Sequence, residues 1–170
     1  MFDNIFVSDI DLLYIKNLLE KPFYISETKL TINHFDDVLS RVLFQIMLKA
    51  MAEKNSFIPL TDLQPLFNDK DRLEKYSHFG HPIKLISVED LLVKFREMQT
   101  ESSHKEIEQT IIERYNRKTL KETAKKMLLE VDDSAKSSKE LLRKYGYKLD
   151  TLLDSASDSR KTITADDMLS

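Results

Sequence analysis

Only two glycines, Gly80 and Gly146, occur in 170 residues. Tight hairpin turns and phosphate-cradling loops depend on residues that accept positive φ or a close backbone approach. A chain this poor in glycine therefore points away from sheets and toward helices joined by short polar turns. Hydrophobic residues make up 41% of the chain, enough to build a core, and charged residues 32%. The longest apolar run, residues 42–52, is interrupted by Gln45 and Lys49 and is too short to cross a bilayer. A net charge of −3 gives no global case for binding nucleic acid or anionic membranes. The absence of cysteine excludes disulfides and fits a reducing, cytoplasmic setting.

Helix-start signals recur along the chain. Ser8 precedes "DIDLLYIKNLLE", and Pro22 stops that helix, because a proline disfavours helical backbone in the residue before it. Asn33 is placed to cap a helix through "VLSRVLFQIMLKAMAEK", with Asp36 and Asp37 complementing its dipole. Asp62 opens a short segment, "LQPLFN", and Ser87 opens "VEDLLVKFREMQ". Ser103 with Glu106, and Ser137 with Glu140, have capping-box spacing. The pattern predicts about six helices and no strand.

Two regimes follow. Residues 1–102 read as a globular helical subdomain. Phe35, Val42, Phe44 and Met47 are expected in its core, because the helix that starts near residue 33 is apolar almost all round. Residues 103–155 read as a long antiparallel helical hairpin. Its first arm, 104–131, is about 28 residues and so about 42 Å long. It carries a narrow stripe: Ile107, Ile111, Tyr115, Ala124, Met127, Leu128 and Val131. The second arm carries Leu141, Leu142, Tyr145, Leu149, Leu152 and Leu153. Two thin helices bury little surface, so Ile107, Ile111, Tyr115, Leu142, Tyr145 and Leu149 are the expected dimer interface. Residues 156–170 read as a polar linker and the first turn of a further helix, as though the chain continued past Ser170.

Chemistry-bearing patterns are few. No phosphate loop surrounds either glycine, and no G-x-S-x-G elbow occurs. His78 and His81 have metal-like spacing but no third ligand near them, so ordinary loop histidines explain them better. No catalytic residue, metal site or cofactor is expected in this chain. A basic row stands out: Arg114, Lys118, Lys121 and Lys125, flanked by Arg117 and Lys126. Its steps of three and four put it on one helix face, where it can meet an acidic partner. No aromatic residues interleave with the charges as a single-strand platform would need.

In layout the chain resembles the N-terminal domain of DnaB-type replicative DNA helicases, over roughly residues 12–155. The carrying segments are "LLYIKNLLEKPFYI", "INHFDDVLSRVLFQIMLKAMAEKNSFIPLTDL", "IIERYNRKTLKETAKKMLLEV" and "SKELLRKYGYKLDTLLDSA". Within the second, Phe35, Arg41 and Phe44 match the family's F-x-x-x-x-x-R-x-x-F pattern. Glu113, Arg114 and Arg117 lie near its charged positions. The segment "DKDRLEKYSHFGHPIK" lacks the family's Gly-Gly and Tyr-Leu pairs, which marks a divergent member of the kind phages encode. The resemblance implies a domain that dimerises through its hairpin, forms a trimer-of-dimers collar on a hexameric ring, and recruits primase or a helicase loader. ATP and Mg belong to that family's motor domain, which this chain does not contain. The competing expectation is a stand-alone helical adaptor or phage inhibitor that binds a host replication protein. A small nucleic-acid-binding protein built on the basic row is a third.

Overall fold

The computed structural model describes residues 8–54, 88–98 and 102–169. The "LQPLFN" segment, both histidines of "HFGH" and the cap Ser87 lie outside the described residues. Among those described, the protein is all helical, with no strand. The described helices are α1 (Asp9–Glu20), α2 (Tyr24–Glu27), α3 (Val38–Lys54), α4 (Val88–Glu97), α5 (His104–Val131) and α6 (Ser138–Leu169). A short 3-10 turn, Ile32–His34, precedes α3.

The start of α1 follows from its cap: the Ser8 hydroxyl accepts the N–H of Asp11, and Asp9 and Asp11 occupy the first turn. It ends at Glu20, one residue ahead of the Lys21-Pro22 step. The start of α3 differs from the sequence expectation. Asn33 is inside the 3-10 turn, and the cap is Asp37, whose Oδ1 accepts the N–H of Ser40 at 2.7 Å. The chain between them is occupied otherwise. Thr31 and His34 close a capping box on the 3-10 turn, and Phe35 is extended. Phe35 is thus a core residue placed by a loop, not by the helix.

The structure divides into two compact units at Ile111/Ile112. In the first, α3 is central: Leu39, Val42, Leu43, Phe44, Ile46 and Met47 are all buried. Leu12, Tyr14, Ile15 and Leu18 of α1 and Leu91 and Phe95 of α4 complete much of the core. The F-x-x-x-x-x-R-x-x-F spacing has a local physical reason. The Phe35 and Phe44 rings lie 4.8 Å apart, and Arg41 Nε donates to the Phe35 carbonyl at 2.6 Å. One side chain thereby holds the loop carbonyl while the rings fix the loop against the helix.

The unit boundary falls inside α5, not ahead of it at residues 102/103. The first two turns of α5 supply Ile107 and Ile111 to the first core, where both are buried. The capping box at its start is complete: Glu106 N–H donates to Ser103 Oγ, and Ser103 N–H donates to Glu106 Oε2. The second unit holds the rest of α5 and all of α6. Where a linker was expected after residue 155, α6 runs on to Leu169. "SASDSRKTITADD" contains neither proline nor glycine, so nothing in it stops a helix already under way.

Candidate interaction faces of the helical hairpin

The turn between α5 and α6 is pinned by one carboxylate. Glu130 Oε1 accepts from Lys144 Nζ at 2.8 Å and from Lys136 Nζ at 3.1 Å, and Oε2 accepts from Tyr145 Oη at 2.6 Å. The Lys144 and Tyr145 bonds, then Lys136, hold the Glu130 carboxyl down at about 2. The same bond to Glu130 raises the Tyr145 phenol. These contacts set the register of two antiparallel helices. Tyr145 and Thr123 are buried in this unit.

Around each helix, residues advance by about 100°. Counted from Glu130, the row Leu120, Ala124, Met127 and Val131 lies about 60–120° round α5. Counted from Tyr145, the row Leu142, Gly146, Leu149 and Leu153 lies about 40–100° round α6 in the same sense. Equal rotations on helices that run in opposite directions lead to the same broad face of the pair. Both rows step by four, three and four, the spacing of a helix-packing seam. Much of this face is open. Leu120 is 50% exposed, Val131 64%, Leu142 74% and Leu153 62%. A Cβ added at Gly146 would meet nothing within 4 Å.

The six expected interface residues separate accordingly. Ile107 and Ile111 are spent inside the first unit and offer no surface, because α5 begins as a core helix. Tyr145 is buried against the turn, and Tyr115 and Leu149 are half-buried. Leu142 alone of the six is broadly exposed. Leu120, absent from the expected stripe, joins it on the open face. Its signal was present as the first member of the four-three-four row, but the spacing of the more N-terminal isoleucines masked it.

The basic residues separate too. Arg117 is paired with Glu113 at 2.9 Å, and Arg114 is half-buried and engaged by other groups. Lys118, Lys121 and Lys125 are exposed, and among the described residues no ion pair holds them. At about 100° per residue they fall about 140–160° round α5 from the buried Thr123, on the outer side of that helix.

Elsewhere, two shallow clefts of about 400 and 500 Å³ open on the first unit beside Leu13, Met98 and Ser102. Lys16 in the larger one is already bound to the Met98 carbonyl at 3.2 Å. Among the described residues, no group of three or more His, Asp or Glu could hold a metal, and no helix is long and apolar enough to cross a membrane. What the fold and these faces define is an all-α chain with an open helical hairpin. The chain matches no protein-family model, no curated protein and no solved structure.

Proposed function

We propose that this chain is a scaffolding and protein-docking domain that works by presenting a helical hairpin to other proteins. In its specific form it is the N-terminal domain of a DnaB-type hexameric replicative helicase, which pairs through the hairpin, builds the ring collar and recruits primase. The observation that carries the general reading is the open face of Leu120, Val131, Leu142 and Leu153, four large apolar side chains at least half exposed on one side of a two-helix layer. Large apolar side chains left exposed along one face support an interface, and a two-fold pairing would let one patch serve both copies. The helicase reading is supported by the segment layout from residue 12 to 155. It gives the buried α3 its purpose as a rigid support rather than the floor of an active site.

Sedimentation at several concentrations, on the wild type and on Leu142→Glu, tests the pairing. The wild type is expected to gain mass with concentration, and Leu142→Glu to remain monomeric. A wild type that stays monomeric at high concentration, or a Leu142→Glu variant that still pairs, overturns hairpin pairing. Reading the native gene past codon 170 tests the helicase form: a phosphate-loop motor supports it, and a stop codon favours the stand-alone adaptor.

A further inference from the structure

The outer side of α5 differs in chemistry from the open apolar face. Lys118, Lys121 and Lys125 stand within about 60° of arc and span about 10 Å along the axis. All three are exposed, and among the described residues none is ion-paired. At the turn end of this row, Leu128 and Leu129 are 71% and 76% exposed. They fall on opposite edges of the lysine row, so the cations lead into a gap between two leucines. Charge is distributed unevenly in the same sense. Residues 112–156 carry eleven Lys and Arg against eight Asp and Glu, although the whole chain is at −3.

We infer that the Lys118–Lys121–Lys125 row, with Leu128 and Leu129 at its end, docks an acidic amphipathic segment of a partner protein. This deepens the docking half of the proposed function and rests on it. Cations at steps of three and four match carboxylates at the same steps on a second helix. Leu128 and Leu129 decide between polyanions. A phosphate backbone has no use for exposed leucines, whereas an acidic helix with apolar residues at one end covers them and withdraws them from water. The absence of aromatic residues interleaved along the row agrees, since single-stranded nucleic acid draws much of its affinity from base stacking. Arg114 and Arg117 are left out of the contact because both are already engaged within the chain.

The test uses the full 170-residue chain and three fluorescent probes. One is a synthetic helical peptide with glutamates at steps of three and four and two leucines at one end. The second is its glutamine counterpart, and the third a single-stranded oligonucleotide of similar length. The acidic peptide is expected to bind at least about tenfold more tightly than the glutamine version, with an affinity that falls as salt rises. Lys118→Glu/Lys121→Glu/Lys125→Glu should weaken it at least about tenfold, and Leu128→Ser/Leu129→Ser severalfold. If the triple reversal disturbs helicity by circular dichroism, the triple alanine variant takes its place. Undiminished peptide binding by the triple variant overturns the proposal. So does an oligonucleotide that outcompetes the peptide while the leucine variant binds normally, which would mark a phosphate surface instead. Sedimentation of the triple variant separates the two readings. Lost peptide binding with unchanged self-association supports docking, and normal peptide binding by a strictly monomeric chain leaves docking intact while pairing fails.

Discussion

Asp11 and Asp37 tie the starts of the two helices together: Asp37 Oδ2 accepts the N–H of Ser8, the cap of α1, and Asp11 Oδ2 accepts the N–H of Asp36, just ahead of α3. Both carboxylates are buried. Each accepts a backbone donor at the entry to the other helix, so the two N-termini are held together.

Burial pushes the Asp37 carboxyl above its usual 3.8, against the hydrogen bonds from Ser40 and Ser8 that pull it down; the charge of Asp11 adds to the rise. A carboxyl with a raised folded pKa binds its proton more tightly when folded. Its contribution is therefore fully present below the ordinary carboxylate range and is lost as pH rises through the folded value. Relative to Asp37→Asn, the wild type should lose stability over that window. Asp37→Ala should cost about 1–2 kcal/mol through the lost cap alone. Urea midpoints from about pH 3 to pH 7 check both, and parallel pH profiles for wild type and Asp37→Asn would refute the first.

His104 is stacked between Tyr24, with ring centroids 4.0 Å apart, and Tyr14, at 4.6 Å. Among the described residues, neither imidazole nitrogen has a hydrogen-bond partner. Burial lowers its pKa below 6.5, Glu27 opposes this, and Lys21 reinforces it. The folded state thus favours the neutral ring. The corresponding stability is present above 6.5 and is lost as pH falls through the lowered value. His104→Phe keeps the stack and removes the titration. Its melting temperature should change less between about pH 7 and pH 5 than that of the wild type, as measured by thermal circular dichroism.

Gly146 offers a substitution whose two effects have opposite signs. Within the chain the added methyl meets nothing, and alanine is a better helix former by about 1 kcal/mol. Gly146→Ala should therefore raise the denaturation midpoint. If a second hairpin approaches closely at this position, a larger residue weakens self-association. Gly146→Leu, compared by sedimentation and by urea titration, should lose mass without losing stability. Stronger pairing by the Gly146→Leu variant would place the closest approach elsewhere.

Phe44 is fully buried and packs at a tilt on Phe35. Phe44→Ala should cost about 3–5 kcal/mol. It should also release the Phe35 loop, seen as faster amide exchange at the Arg41-bound segment. An unchanged melting temperature would remove α3 from its central position.

Much of this architecture is determined by local chemistry that the sequence displays directly. The shortage of glycine, the all-round apolar pattern of α3, the Ser8 cap and the Ser103/Glu106 box each act within a few residues. All of these appear in the structure where the pattern puts them. The capping of α3 is different. Asn33, Asp36 and Asp37 all satisfy the local rule for a cap, and Asp37, the one used, is also held by the N–H of Ser8, 29 residues away. The same is true of the hairpin. Periodicity places Ile107, Ile111, Leu142 and Leu149 on apolar stripes, but a stripe does not say what covers it. Only the tertiary arrangement decides that the first two isoleucines belong to the globular core while Leu142 stays open. Periodicity reports which side chains avoid water; the division between a protein's own core and a surface left for a partner depends on which distant segments reach them first.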